Sequence, residues 1–372
     1  MITGVPGLDD VEDLIAADRD GLLHSAALAG AQARSVAEAV SEGVLDVLGG
    51  LRPRSVVIVF GSTATARSAA ELVIATIAGR IDVPIVAAPT LPGWIGPLDV
   101  VVIAGDDAGD MALADAAARS VRRRAEVVVV APLEGPLRDA LLGNGIDLSP
   151  RLRVDSRFRM IGFVCALVAV LGSLTEVRFT GRSPDLSALA DRLDEEAASG
   201  HPGRETFHNS TKLLAGRFGS GTPVIAGDSP AGSVVAEHSA RQLFAVSGIV
   251  CATANLVGAV QVVRAAAERT GVGVEDAIFY DPEFDGPPPA TVPRVFVVTT
   301  SRREWTTRQR VAALGDVEII TADAEAAPAD PAGAAVGVGD EPSVDSPAEL
   351  TSLLLALLRI EMAAVYLRLI GK

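Results

Sequence analysis

The residues that can do chemistry sit where apolar runs end. Ser55 to Phe60 is a β-branched run closed by Gly61-Ser62-Thr63-Ala64-Thr65, which opens a helical segment. Free amides and the dipole at a helix start attract anions, and the hydroxyls of Ser62, Thr63 and Thr65 add donors. One reading of this turn is therefore an anion cradle. The other is a plain strand-to-helix turn in which Ser62 or Thr63 only caps the helix. A matching turn, Gly227-Asp228-Ser229 followed by Gly232-Ser233, comes later in the chain, where Asp228 makes it less hospitable to an anion. Between them, Val100 to Ala104 runs into a loop holding Asp106, Asp107 and Asp110. Three carboxylates there either ligate Mg²⁺ or mark an acidic helix start, and the second reading is favoured because no further ligand cluster accompanies them.

Four histidines occur, His24, His201, His208 and His238, with no zinc spacing among them. Glu237 and His238 lie on a helix where Glu237 and Arg241 share a face. That is a general base beside an anion-binding arginine, or else an exposed ion pair of little energetic consequence. Arg151, Arg153, Arg157 and Arg159 crowd before the apolar run 160–174 and either face a phosphate or are solvated. The dinucleotide fingerprint G-x-G-x-x-G, the G-x-x-x-x-G-K-[ST] loop and a serine nucleophile elbow are all missing, so neither a cofactor nor a metal is expected.

The elements that must position these residues alternate. Strands are expected at 55–60, 83–88, 100–104 and 126–131, with helices at 64–79, 109–124 and 157–174 between and after them. A second set of strands is expected at 223–226, 246–251, 295–299 and 317–320, the third of these segments from the end reading equally as helix. Residues 9–48 read as two helices broken near Asp18–Gly21, and further helices are expected at 183–199, 209–217 and 347–371. Alternation of this kind builds right-handed βαβ crossovers and doubly wound parallel sheets, whose ligands bind beyond the strands' carboxyl ends.

Composition limits the functions available. Hydrophobic residues make up 49% and charged residues 21%, which supports packed cores and rules out general disorder. Lys and Arg total 32 against 47 Asp and Glu, and the net charge of −15 repels nucleic-acid backbones and anionic membranes. Cys165 and Cys251 lie in apolar runs and read as buried free thiols of a reducing compartment. The acidic N-terminus is unlike a signal peptide, Met160–Leu174 is too short to span a bilayer, and Leu353–Ile370 is interrupted by Arg359, Glu361 and Arg368. A cytoplasmic location without nucleic-acid or membrane partners is expected.

In their order along the chain, several segments resemble the bifunctional phosphoglucose/phosphomannose isomerase family, built from two sugar-isomerase (SIS) type domains. Asp18 to Leu23 resembles that family's DPxGML segment, and Gly61-Ser62 its GxGGS turn. His208 to Ala215, followed by Thr222 to Gly227, is similar to N-x-A-K-x-L-A … PV-x-x-G, and Met362 to Leu367 to the closing SVYLA helix. The resemblance covers nearly the full length. It implies an α/β fold of two tandem doubly wound SIS-type domains with parallel sheets: a helical N-terminal segment 1–50, a first domain 51–176, a helical connector 177–220, a second domain 221–322, an acidic Ala/Pro/Gly linker 323–346 and a C-terminal helix 347–372. It also implies a twofold homodimer, for which the apolar segments 160–174 and 353–370 offer surface, and a small sugar-phosphate ligand.

The departures decide the expected function. The family's phosphate loop falls on residues 104–109, so Asp106 and Asp107 stand where hydroxyls would grip phosphate. The family's base falls at Arg241 and its ring-opening histidine near Ala254, with Asn255 kept; a shift of one helical turn moves Glu237 into the base position. One active-site arginine persists as Arg157 or Arg159. The resemblance therefore implies a sugar-phosphate-binding protein with degenerate catalysis, its binding residues drawn from Gly61, Ser62, Thr63, Thr65, Asp106, Asp107, Arg157, Arg159, Arg241 and Asn255. The alternatives are an active glucose-6-phosphate/mannose-6-phosphate isomerase using Glu237 or His238, and a structural subunit that binds nothing.

Overall fold

Three helices, α1 (Val11–Ala17), α2 (Leu22–Ala27) and α3 (Ala29–Ser41), precede the first strand. The structure, a computed structural model, describes residues 5–181, 183–270, 293–312, 314, 317–322 and 347–371, with backbone alone at 267–270, 347 and 348. The expected linker 323–346 lies outside the described residues.

The β-branched runs pair as five parallel strands: β1 (Ser55–Val59), β2 (Ile85–Ala88), β3 (Asp99–Ala104), β4 (Glu126–Val130) and the short β5 (Ile146–Asp147), in the order β2-β1-β3-β4-β5. Their crossovers run through α4 (Ala64–Ile77), α5 (Met111–Arg122) and α6 (Gly135–Leu141), and α7 (Met160–Ser173) follows. Every residue of β1 and β3 is buried, because helices cover both faces. Side chains alternate between those faces. Val57, Val59, Val101 and Ile103 pack with Leu113 of α5 and Leu137 of α6, while Val56, Ile58, Val100 and Val102 face the main core.

After α8 (Leu186–Ser199) and α9 (Ser210–Phe218) comes the second sheet. Its strands are β6 (Pro223–Gly227), β7 (Ala252–Asn255), β8 (Arg294–Val298) and β9 (Val317–Ile320), all parallel, in the order β7-β6-β8-β9. The accompanying helices are α10 (Pro230–Ser247), α11 (Leu256–Thr270) and α12 (Ser301–Val311). Ile225, Phe296 and Val298 join the same main core as the first sheet, and α13 (Pro347–Leu369) runs through it.

Helix α13 is long and apolar enough to cross a membrane, yet 89% of its apolar window is buried inside the molecule. A helix that is apolar all round belongs in a core. Its four charged residues are each met by a partner: Glu349 by Arg303 at 3.9 Å, Arg359 by Glu196 at 2.7 Å, Glu361 by His238 at 3.3 Å and Arg368 by Asp20 at 2.7 Å. Helix α7 is likewise buried along almost its whole length. Neither is spare surface, so the ground offered above for a dimer falls away.

The expected strand at 246–251 is absent. Helix α10 continues to Ser247, Gly248 closes it with φ 77°, and β7 starts only at Ala252. Glycine reaches that left-handed cap without a Cβ penalty, so apolar residues on both sides of it belong to a helix end and a turn. The first helical segment is also cut into three. Cys165 is buried as expected and its thiol is pushed up to about 12 by burial, whereas Cys251 is only half-buried.

Candidate strand-end site

In the first sheet the chain leaves β1 toward β2 on one side and β3 toward β4 on the other. This divergence opens a crevice at the strands' carboxyl ends, where open α/β sheets take their ligands. Gly61 enters it with φ 54°, and a Cβ there would lie 2.5 Å from Asp110 Oδ2 and 3.0 Å from Leu113. Only glycine fits, so β1 and the β3 loop approach one another closely.

The donors of this turn are answered from within. The backbone N–H of Ser62 and its hydroxyl both donate to Asp110 Oδ2, at 2.9 and 2.8 Å. The other oxygen of Asp110 accepts from the Ala112 N–H at 2.8 Å and caps α5. Burial pushes the Asp110 carboxyl up, but the hydrogen bonds from Ser62, Ala112 and Leu113 outweigh it and hold it below the ordinary range. Thr63 stands at the cap of α4 without a side-chain capping bond; its hydroxyl instead accepts from the Asp106 N–H at 3.4 Å. Thr65 is half-buried in the first turn of α4.

The two adjacent carboxylates do different work. Asp106 Oδ1 accepts from Arg159 Nη1 at 3.0 Å, with the side chains only 17% and 18% exposed. Burial pushes the Asp106 carboxyl up, opposed by the Arg159 charge and hydrogen bond. Asp107 is exposed and turns back on its own loop, accepting from the Gly109 N–H at 2.7 Å. Among the described residues no three His, Cys, Asp or Glu side chains gather as a metal site. The Mg²⁺ reading thus gains no support, and Asp110 acts as a helix cap.

The second arginine candidate is also spoken for. Arg157 makes a two-pronged pair with Asp155, Nε to Oδ1 at 2.8 Å and Nη2 to Oδ2 at 2.9 Å. Arg241, on the exposed side of α10, donates to Ser68 Oγ on α4 rather than to Glu237, while Arg67 and Glu71 pair beside it at 2.7 Å. Glu237 remains exposed one turn before Arg241.

His238 and Asn255 lie elsewhere. His238 is 1% exposed in the α10–α13 contact, with Nε2 3.3 Å from Glu361 Oε1 and 3.1 Å from Gln242 Nε2. Burial pushes the imidazole down to about 3 and the Glu361 carboxyl well up, so the pair stands as neutral imidazole and neutral acid. A sealed, neutral His238 has no access to a ligand in the crevice, which corrects its candidacy as a base. Asn255 ends β7 on the edge of the second sheet and accepts from the Gly258 N–H at 2.8 Å, capping α11.

Two partners were missed from the sequence, Asp110 for Ser62 and Glu361 for His238. A cap before Met111 is legible locally. That its carboxylate reaches back 48 residues is not.

No protein-family model matches this chain, and no curated protein matches its sequence. Solved structures do match. A glucose-6-phosphate isomerase-like protein of Thermus thermophilus aligns over 98% of this chain and 93% of its own, at 14% identity and a TM-score of 0.50. A Clostridium novyi protein assigned as a tagatose-6-phosphate ketose/aldose isomerase covers 99% and 93%, at 11% identity and 0.57. The C-terminal domain of a Francisella tularensis glucosamine-fructose-6-phosphate aminotransferase covers 93% and 96%, at 11% and 0.53. The fold is that of two SIS-type α/β domains in tandem, as the resemblance implied.

Proposed function

We propose that this protein binds a carbohydrate derivative at the diverging ends of β1 and β3 and does not interconvert aldose and ketose phosphates. The Asp106–Arg159 ion pair carries this reading. Phosphate recognition needs a free guanidinium and free amides, and here the chain's own carboxylates hold Nη1 of Arg159 and the amide of Ser62. Because the structural relatives are named for glucose 6-phosphate, tagatose 6-phosphate and fructose 6-phosphate chemistry, sugar phosphate is the ligand class to test first. A phosphate entering the crevice must displace Asp106 from Arg159, so its affinity is weak in the native chain.

The test is thermal unfolding with glucose 6-phosphate, in the native protein and in Asp106→Ser. A ligand of the folded state raises its stability with the logarithm of concentration over Kd, which makes even millimolar binding visible. A small shift in the native protein and a larger one in Asp106→Ser is expected. Loss of the shift in Asp106→Ser would make Asp106 a ligand group, and no shift in either would favour a structural subunit. In coupled assays on fructose 6-phosphate and mannose 6-phosphate, turnover near background is expected, since each missing acid–base group removes about 10²–10⁴-fold.

One observation favours a second reading. Glu237 is exposed on the side of α10 that meets α4, the helix opened by the Ser62 turn. Robust isomerase activity abolished by Glu237→Gln would install Glu237 as the base.

This reading also takes the protein to be cytoplasmic and a twofold dimer. With α7 and α13 internal, the dimer rests on Phe244, Val250, Val257 and Val262, all exposed around the edge strand β7. A monomer by light scattering at micromolar concentration would overturn it.

A further inference from the structure

The inner side of α12 decides what the helix shows to solvent. Thr307 and Val311, one turn apart, are its buried residues, and the Thr307 hydroxyl donates to Asp228 Oδ2 at 2.9 Å. Arg303 Nε lies 3.4 Å from the same oxygen, and its Nη1 lies 3.9 Å from Glu349 of α13. These contacts fix the helix on the end of the second sheet. At about 3.6 residues per turn, the face opposite Thr307 and Val311 carries Arg302, Trp305, Thr306 and Gln309, and all four are exposed. Arg308 and Arg310, also exposed, flank that stripe on its two sides.

This face is cationic in a chain with 47 acidic and 32 basic side chains. Arg308 is tied to Glu304 at 2.9 Å, but Arg302 and Arg310 meet no carboxylate among the described residues. Between them stands Trp305, 72% exposed. The chain's other tryptophan, Trp94, carries the Arg54 guanidinium over its ring at 5.6 Å, whereas among the described residues no ring or cation covers Trp305. Tryptophan and arginine are the residue types that most often dominate the binding energy of protein interfaces. Here they stand on a helix already pinned from behind, so little conformational freedom is lost when a partner covers them.

We propose that the outer face of α12 docks an acidic segment of a partner protein, whose carboxylates pair with Arg302 and Arg310 and whose apolar side chain covers Trp305. A guanidinium takes a carboxylate through two parallel hydrogen bonds, which suits clustered arginines to acidic motifs. Arg302 and Arg310 are about 12 Å apart along the helix axis. An extended segment covers that distance in about four residues, so carboxylates at that spacing reach both and leave a side chain between them for Trp305. The net charge of −15 repels an extended polyanion such as a nucleic acid or an anionic membrane, whereas a short segment meets this helix alone.

The probe is a peptide of about 10 residues, long enough to follow the helix, with glutamates alternating with serines around one central leucine; its neutral counterpart has glutamine for glutamate. In Trp94→Phe the sole tryptophan is Trp305, and a saturable blue shift of its emission is expected with the acidic peptide. Calorimetry on the native chain repeats the titration without that substitution. The neutral peptide is expected to bind about 30-fold more weakly, the value of two exposed ion pairs at the upper end of their usual strength. Arg302→Glu combined with Arg310→Glu is expected to erase this preference, and rising salt to reduce it. Trp305→Ala is expected to weaken both peptides by about 10-fold in calorimetry and to keep the preference. Arg153→Glu, at an exposed arginine before α7, is expected to change affinity less than about 2-fold. Equal affinity for the two peptides, no saturable binding by either method, or an equal loss in Arg153→Glu would each overturn the proposal. So would tighter binding of phosphatidylserine vesicles or of a single-stranded oligonucleotide through the same three residues, or self-association that Trp305→Ala abolishes, which would give the face to a second copy of this chain.

Discussion

Just past β6, the Asp228 side chain is 2% exposed and its Oδ2 accepts from the Thr299 and Thr307 hydroxyls at 2.6 and 2.9 Å, with Arg303 Nε 3.4 Å away. At the ends of β1 and β3, the equivalent turn puts Asp110 on Ser62 and Asp106 on Arg159, and all of these groups keep some contact with solvent. Both turns follow a buried parallel strand and open a helix. In the second sheet the carboxylate is buried and gathers the Thr299 hydroxyl just past β8 and the Thr307 hydroxyl and Arg303 guanidinium of α12, so it acts as a structural pin. In the first sheet the same kind of group stands at open strand ends, where the function proposed above has it take the place of an exogenous anion. The difference lies in access, and it is why the ligand site is assigned to the first sheet alone.

The comparison breaks most visibly at Asp228. Asp228→Ala leaves two buried hydroxyls without their acceptor and Arg303 without its nearest carboxylate, which is expected to cost about 2–4 kcal/mol. Urea denaturation measures it. A loss below about 1 kcal/mol would mean that Asp228 is not a pin and that the second sheet's end is open to ligands.

The next effect is in the pH dependence of the buried pair His238–Glu361, which links α10 to α13. The imidazole sits below its ordinary 6.5, at about 3, so its contribution to stability is complete above pH 6.5 and is lost as pH falls toward 3. Glu361 sits well above its ordinary 4.5, so its contribution is complete below pH 4.5 and is lost as pH rises. Between 4.5 and 6.5 the two slopes cancel. Above 6.5 Glu361 alone remains, and stability is expected to fall by up to about 1.4 kcal/mol per pH unit. Glu361→Gln is expected to flatten this alkaline limb, measured as urea midpoints at pH 6 and pH 8.5. An unchanged limb in Glu361→Gln would place the titrating group elsewhere.

A smaller loss tests the first sheet's own pin. Asp110→Ala removes the α5 cap and the acceptor of Ser62, and about 1 kcal/mol is expected, the usual value of a lost helix cap. The same variant frees the Ser62 amide and hydroxyl, so glucose 6-phosphate is expected to stabilise it more than the native chain. A stability loss with no gain in ligand response would show that the turn does not bind anions even when vacated.

What the sequence made legible follows from range. Strands β1, β3, β4, β6, β8 and β9 could be read because buried parallel strands are continuous apolar runs. Helix α12 could not, since Ser301–Val311 is mostly polar and buries only Thr307 and Val311. The short α6 and the longer α11 were also missed. At the site, the glycine of the turn and the carboxylates of the loop were visible, but their pairing was not. Asp106 finds Arg159 53 residues away, and His238 finds Glu361 123 residues away, distances that no local spacing encodes. Only the fold shows that Asp106 carries its own cation while Asp107 turns back on its loop.

Asp107 gives the smallest effect and separates the two neighbours. Its side chain is exposed, and its recorded hydrogen bond closes a turn onto Gly109 within the same loop. A solvated charge acts on a neighbouring anion through water and is screened within about 8–10 Å at ordinary ionic strength. Asp107→Ser keeps a side-chain oxygen for the turn, so its stability is expected to stay within about 0.5 kcal/mol of the native chain. Its thermal response to glucose 6-phosphate is expected to match the native protein's, while that of Asp106→Ser exceeds it. Equal gains from the two substitutions would mean that both carboxylates act through general repulsion. The Asp106–Arg159 pair would then lose its special place, and the contrast between a crevice closed by a specific ion pair and a sheet end sealed by Asp228 would reduce to a difference in net charge.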